Sequence, residues 1–219
     1  MTLDIVRIAF PDIPLRTRDG HKLRGFFGNL FREHSPLLHN HFDDGRLRYA
    51  YPLVQYKVIG SVAHLVGLQE GAQLLTELFL RIKELDIDGQ VYPVLSKHIQ
   101  REKFEIYETG RIFRYRFLTP WMALNQQNYK RYIEADRQQQ REILRRVLIG
   151  NVLSFYKYVS FHVDRQLDAT VSVRPALTNF KNRRMLAFRG EFAVNAVLPD
   201  LIGLGKAVSR GFGTIIKLD

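Results

Sequence analysis

Ile112-Phe113-Arg114-Tyr115-Arg116-Phe117-Leu118 alternates aromatic and basic residues from Phe113 to Phe117. Phe113, Tyr115 and Phe117 fall on one side, and Ile112, Arg114 and Arg116 on the other. A period of two is the pattern of a half-buried strand, and Pro120 closes it. The position of this strand decides the fold. The chain before it has already set out one full series of elements, and the chain after it sets out a second.

Upstream, Ile5 to Phe10 reads as a first strand ended by Pro11 and Pro14. Asp19-Gly20 is a turn signal. From Leu23 to Phe31, the apolar positions Leu23, Phe26, Phe27, Leu30 and Phe31 have helical spacing, weakened by Gly25 and Gly28. Glu33 to Gly45 reads as a loop. Arg48 to Ile59 reads as a strand, with Pro52 marking an edge or a bulge. Ser61 to Leu68 either extends that ribbon or turns into a short helix. Ala72 to Ile82 reads as a helix, and Gln90 to Leu95 and Lys103 to Tyr107 as strands. Strand–helix–strand–strand–helix–strand is the ferredoxin-like order.

Downstream, Asn125 to Ala135 and Arg137 to Phe161 are predicted helices, the second with a weak point at Gly150. Ala169 to Val173 and Met185 to Val197 are predicted strands, and Leu198 to Ala207 has room for a short helix. Thr214 to Leu218 is the last strand. The expected fold is therefore α+β, with tandem ferredoxin-like (RRM-like) domains, the second compressed or irregular. The boundaries are 1–108, carrying a histidine-rich loop, and 109–219, carrying a glycine-rich one. No low-complexity linker separates them.

Composition narrows the function classes. The 219 residues carry 33 Lys plus Arg, 22 Asp plus Glu, a net charge of +11, 46% hydrophobic residues and no cysteine. That is too apolar for wholesale disorder. Without cysteine there are no disulfides, thiolate zinc sites, iron–sulfur clusters or thiol nucleophiles. The excess positive charge attracts polyanions: RNA, DNA or an anionic membrane surface. No uncharged apolar run reaches the ~18 residues a spanning helix needs, and the amino end does not read as a signal peptide. The expected location is cytoplasmic, with no membrane partner.

The stretch Gly203-Leu204-Gly205-Lys206-Ala207-Val208-Ser209-Arg210-Gly211-Phe212-Gly213 holds four glycines in eleven residues. Glycine admits left-handed backbone and close ligand approach, and exposed amides in such a loop can cradle phosphate. The order fits neither a Walker A loop nor a dinucleotide fingerprint. A tight turn into the last strand explains it equally well. The stretch resembles the glycine-rich loop of the RAMP superfamily of CRISPR-associated proteins, and within it the chain most resembles the Cas6 endoribonucleases. Looser matches lie at Leu38-His39 and from Arg48 to Lys57. The resemblance implies RNA contact by Gly203, Gly205, Lys206, Ser209, Arg210, Gly211 and Gly213.

The family places a leucine–histidine pair after the first helix, which Leu38-His39 matches. Three of the seven histidines, His34, His39 and His41, lie within eight residues. RNA can be cut without a metal when its 2′-hydroxyl attacks the neighbouring phosphate. Histidine suits the proton transfers, with a reference pKa of about 6.5. The resemblance makes His39 the expected general base, followed by His41. Tyr49 and Lys57 are candidate helpers that would bind ribose or offset phosphoryl charge. The bland readings stay open: loop histidines facing solvent, tyrosines packing in a strand, or a metal held by His39 and His41 with Asp43 or Asp44. The expected site has no metal and no cofactor.

Lys181, Arg183 and Arg184 form a compact basic group suited to a phosphate backbone. Further basic groups include Arg114 with Arg116 on one strand face. The leading expectation is a metal-independent endoribonuclease acting on CRISPR precursor RNA within its repeats. The alternative is a non-catalytic RAMP protein that binds guide RNA as a structural subunit of an effector complex. A generic single-strand binding module ranks third. By resemblance the partners are precursor or guide RNA and other CRISPR effector subunits, with a homodimer left open.

Overall fold

The computed structural model describes residues 1–16, 19–30, 51–180 and 183–218. The chain divides into two compact units. One comprises Thr2–Glu105 with Ser209–Gly211. The other comprises Ile106–Val208 with Met1 and Phe212–Asp219.

The amino-terminal unit contains β1 (Thr2–Pro14), α1 (Gly20–Leu30), β2 (Val54–Ile59), β3 (Val62–Leu68), α2 (Glu70–Leu78), a β4–β5 hairpin (Glu84–Ile87, Gln90–Pro93) and β6 (His98–Glu105). Its four-stranded sheet runs β2-β3-β1-β6, with every pair antiparallel. This is the ferredoxin-like arrangement. Val6, Ile8 and Phe10 of β1 bury against Leu23 and Phe27 of α1 and Leu75 and Leu78 of α2. Each such side chain contributes roughly 1.5–3 kcal/mol of hydrophobic stabilisation. Phe27 stacks on Tyr56 of β2 at 5.8 Å and 19°, which fixes α1 over that edge of the sheet.

The carboxy-terminal unit repeats the plan as β7 (Glu108–Phe117), α3 (Gln126–Glu134), α4 (Arg137–Tyr158), β8 (Ala169–Phe180), β9 (Arg183–Ala196) and β10 (Ile215–Lys217). Its sheet order β10-β7-β9-β8 is the same permutation. The second crossover carries a single 3₁₀ turn, Val208–Arg210, and this is the compression. Asn125 caps α3, and Asp136 and Gln139 form a reciprocal capping box on α4. Phe113, Tyr115 and Phe117 are buried while Arg114 and Arg116 are exposed. Phe117 stacks on Trp121 at 5.0 Å, and Tyr115 on Phe192 at 5.2 Å.

Several expectations change. β1 does not stop at Pro11 but runs to Pro14. Its ladder shifts register between Phe10 and Pro14, and a proline there forfeits no ladder donor. Within the described residues β2 begins at Val54, and 51–53 do not join it; there the Gln55 amide instead donates to the Tyr51 hydroxyl and the Pro52 carbonyl. Ser61 to Leu68 supplies the strand β3, not a helix, and β6 starts earlier than Lys103. No α-helix forms over 198–207. Leu201, Gly205 and Ala207 have positive φ, and the amides of Leu201 and Leu204 donate to the Ile215 and Gly213 carbonyls. That stretch runs through turns and bends beside the chain entering β10, with a single isolated bridge between Gly203 and Thr214.

Candidate functional site

The glycine-rich stretch is shaped by protein atoms on all sides. A side chain at Gly203 would come within 2.6 Å of the Val208 side chain, and one at Gly205 (φ +92°) within 2.7 Å of the Trp121 indole nitrogen. Trp121 is held by a hydrogen bond from its indole N–H to the Asn151 side-chain oxygen at 3.0 Å. Gly213 (φ +64°) lies under the Leu204 carbonyl. The Lys206 amide donates to the Met122 carbonyl at 3.0 Å, and its side chain is exposed. These contacts belong to the carboxy-terminal unit.

Ser209–Gly211 belongs instead to the amino-terminal unit. Gly211 (φ +86°) sits on β2: a methyl group there would reach the Tyr56 carbonyl at 2.9 Å and the Lys57 Cα at 3.2 Å. One at Gly20, the first residue of α1, would come within 2.7 Å of the Arg210 carbonyl oxygen. The Ser209–Gly211 segment therefore lies along the Tyr56–Lys57 backbone with Arg210 beside the start of α1. Arg210 is half-buried. Its pKa is lowered, first by burial and then by the charge of Arg24.

Lys57 is fully buried. Desolvation drives its ammonium down from the usual 10.5 to about 7. Its direct cross-strand partner is His64 on β3. Burial lowers the His64 pKa, a hydrogen bond with the Val62 carbonyl opposes that, and the Lys57 charge lowers it further. Next along β2, burial raises the Tyr56 phenol pKa. Strand alternation alone did not reveal that Lys57 would be enclosed. The pairing with His64, to which the sequence reading gave no role, follows only once the register is known.

His39, His41 and Tyr49 lie outside the described residues, as does Lys181. The metal reading built on His39, His41 and Asp43 or Asp44 also lies outside them. Among the described residues, no group of three His, Cys, Asp or Glu side chains is placed to hold a metal ion, and no helix is long and apolar enough to cross a membrane. Arg183 and Arg184 are exposed where β9 begins. Gly203, Gly211 and Gly213 are buried, while Gly205 and Ser209 are half-buried. The described site thus brings together Lys57, Tyr56, Ser209, Arg210, Gly211 and the start of α1 near Arg24.

Two ferredoxin-like sheets of the same permutation, joined to a carboxy-terminal glycine-rich stretch, define a protein of the RAMP superfamily. Comparison with known proteins narrows this. Residues 1–105 match the family model of the Cas6b N-terminal domain, and residues 107–218 match that of the Cas6b C-terminal domain. A solved Cas6b structure superposes with a TM-score of 0.94 at 35% identity over the full length of both chains. A second, described as the CRISPR RNA processing endoribonuclease Cas6b, superposes at 0.81 with 32% identity, again over both full chains. The uncharacterized protein MJ0978 of Methanocaldococcus jannaschii is 36% identical over 146 residues, covering 65% of this chain and 98% of that protein. The chain belongs to the Cas6b family, within the Cas6 group of RAMP proteins.

Proposed function

We propose that this protein is a metal-independent endoribonuclease that processes CRISPR precursor RNA within its repeats. Membership of the Cas6b family supports the reading. The geometric observation that carries it is the seating of Ser209–Gly211 on β2 against Lys57 and the start of α1. This puts a half-buried arginine beside a second one, Arg24, in a chain with a net charge of +11. Two guanidiniums in each other's field suit a phosphate, whose charge offsets both.

In this reading the RNA 2′-hydroxyl attacks the adjacent phosphorus and His39 takes its proton. The bond from phosphorus to the 5′-oxygen breaks and an acid protonates the departing oxygen, with His41 the second candidate after His39 for the proton transfers. The products are a 2′,3′-cyclic phosphate and a 5′-hydroxyl. Tyr49 binds ribose or phosphate. Lys57, poised near neutrality, gains charge as phosphate approaches and offsets the developing negative charge. Lys206, Ser209, Arg210 and the amides of Gly203, Gly205, Gly211 and Gly213 hold the backbone, with Lys181, Arg183 and Arg184 extending the contact. The chemistry calls for no cofactor. The protein acts in the cytoplasm, stays with the mature guide and joins other effector subunits; a homodimer is compatible with this role.

The test is incubation of the purified protein with repeat RNA in EDTA. Cleavage is expected, with a deoxyribose at the scissile position bound but uncut. His39→Ala is expected to bind normally and to cut about 10²–10⁴-fold more slowly. Cutting of the deoxyribose substrate refutes 2′-hydroxyl attack. Binding without any cutting by the parent protein refutes the enzyme and favours a guide-binding subunit.

A further inference from the structure

The face of the carboxy-terminal sheet away from its aromatic core is unusually basic. Tyr115 and Phe192 are cross-strand partners stacked in the core, so the neighbouring positions point the other way. There Arg116 pairs with Glu191, and Glu191 pairs in turn with Ser172. Arg114 and Arg116 both bond to the Glu191 carboxylate. Two residues further along, Arg174 of β8 stands directly opposite Arg189 of β9, and both are exposed. Four arginines thus share one face with one carboxylate, already engaged by the β7 pair.

Like charges placed directly opposite on neighbouring strands repel, with Cβ atoms about 4.5–5.5 Å apart. Arg174 and Arg189 hold that arrangement in the middle of a hairpin whose register runs unbroken from Ala169–Val194 to Phe180–Arg183. The flanking pairs on the same face, Ser172–Glu191 and Ala176–Ala187, carry no aromatic ring. Base stacking on a sheet face relies on such rings. Guanidinium groups bind phosphate oxygens in contacts that carry no sequence information.

We infer that Arg174 and Arg189 form a phosphate clamp on the outer face of the carboxy-terminal sheet, which tracks the RNA backbone independently of sequence, with Arg114 and Arg116 alongside. The inference rests on the RNA-processing reading above and adds a second contact surface to it. An acidic protein partner is the competing occupant. The charge complementarity favours RNA, the polyanion the proposed activity already brings to the molecule.

The experiment measures dissociation constants of the full-length protein for repeat RNA and for poly-uridine of equal length across a series of salt concentrations. Arg174→Ala/Arg189→Ala should make the slope of log affinity against log salt shallower by about 1.4, from ~0.7 per single-strand phosphate contact. Affinity should fall by the same factor on both RNAs, and single-turnover cleavage at saturating protein should be unchanged. Arg174→Lys/Arg189→Lys should restore most of the slope, and the alanine variant should melt no lower than the parent because a repulsive pair is gone. An unchanged slope overturns the clamp, as does a loss confined to the repeat RNA. An unchanged RNA affinity with lost capture of an acidic protein assigns the face to a protein partner and overturns it too. A parent that binds and cuts RNA while the slope stays put sinks this inference alone. A parent that binds no RNA sinks both readings.

Discussion

Replacing Lys57 with methionine should make the protein more stable and a poorer enzyme. The side chain is fully buried, and desolvation holds its pKa near 7, against 10.5 in the unfolded chain. Between pH 7 and 10.5 the unfolded state therefore binds one more proton than the folded state. Stability rises with pH in that window and is penalised in full below it. The gap between the two values corresponds to on the order of 5 kcal/mol at pH 7 and about 2 kcal/mol at pH 9. Methionine has similar length and no charge, so the substitution removes that penalty.

The assay is urea unfolding followed by circular dichroism, comparing Lys57→Met with the parent at pH 7, 8 and 9. With a slope of ~2 kcal/mol/M, the amino-terminal unit's midpoint should rise by about 2 M at pH 7 and by roughly half that or less at pH 9. RNA cleavage should fall in the same variant. A substitution effect that is equal at pH 7 and pH 9, or destabilising at both, would show that Lys57 keeps its charge inside the fold. That result would remove the argument for a lysine poised to change protonation when phosphate arrives. The expected pairing of gained stability with lost activity is what separates a functional buried lysine from a structural one.

Gly211→Ala should undock the Ser209–Gly211 segment, because its methyl group meets the Tyr56 carbonyl and the Lys57 Cα at positive φ. The expected cost is about 1–3 kcal/mol, with at least a tenfold loss of RNA affinity by filter binding. Gly25→Ala, whose methyl group meets nothing within 4 Å in α1, should instead stabilise by roughly 0.5–1 kcal/mol. Tyr115→Phe removes a hydroxyl that donates to the Ala196 carbonyl and accepts from the Leu198 amide. Its thermal unfolding should show a loss of about 1–3 kcal/mol. Burial pushes the Tyr115 phenol up to about 12, so in the parent it should stay protonated through pH 10 in an ultraviolet titration. Asp136→Ala breaks the capping box of α4 and should cost about 0.5–2 kcal/mol, read as a lower melting temperature.

The repeated fold was legible where local chemistry and tertiary demand agreed. Phe113, Tyr115 and Phe117 alternate with exposed Arg114 and Arg116 because β7 has one covered face and one open one. The helices expected over Asn125–Ala135 and Arg137–Phe161 form as Gln126–Glu134 and Arg137–Tyr158. β4 was missed because Glu84-Leu85-Asp86-Ile87 is four residues long and pairs only with β5, giving a pattern too short to separate from a turn. The helix expected over 198–207 does not form because Leu201, Gly205 and Ala207 take positive φ and the Leu201 and Leu204 amides donate to the Ile215 and Gly213 carbonyls instead of along a helix. At the site, sequence gave the identity of Lys57 but not its enclosure, since alternation assigns faces without saying what covers them.

The glycines of the terminal stretch carry a further lesson about what a motif means. Read in sequence, they make room for a ligand. In the fold, Gly203 gives way to Val208, Gly205 to Trp121, Gly211 to Tyr56 and Lys57, and Gly213 to the Leu204 carbonyl. The space each glycine opens is filled by protein, so the path of the stretch is set before any RNA arrives. A backbone fixed in this way loses little conformational freedom on binding. The groups this path carries outward are Lys206, with an exposed side chain, and Ser209 and Arg210, with half-buried ones. Substitutions at the glycines should therefore disturb the architecture of the stretch, whereas substitutions at Lys206, Ser209 and Arg210 test the RNA contact proposed for it.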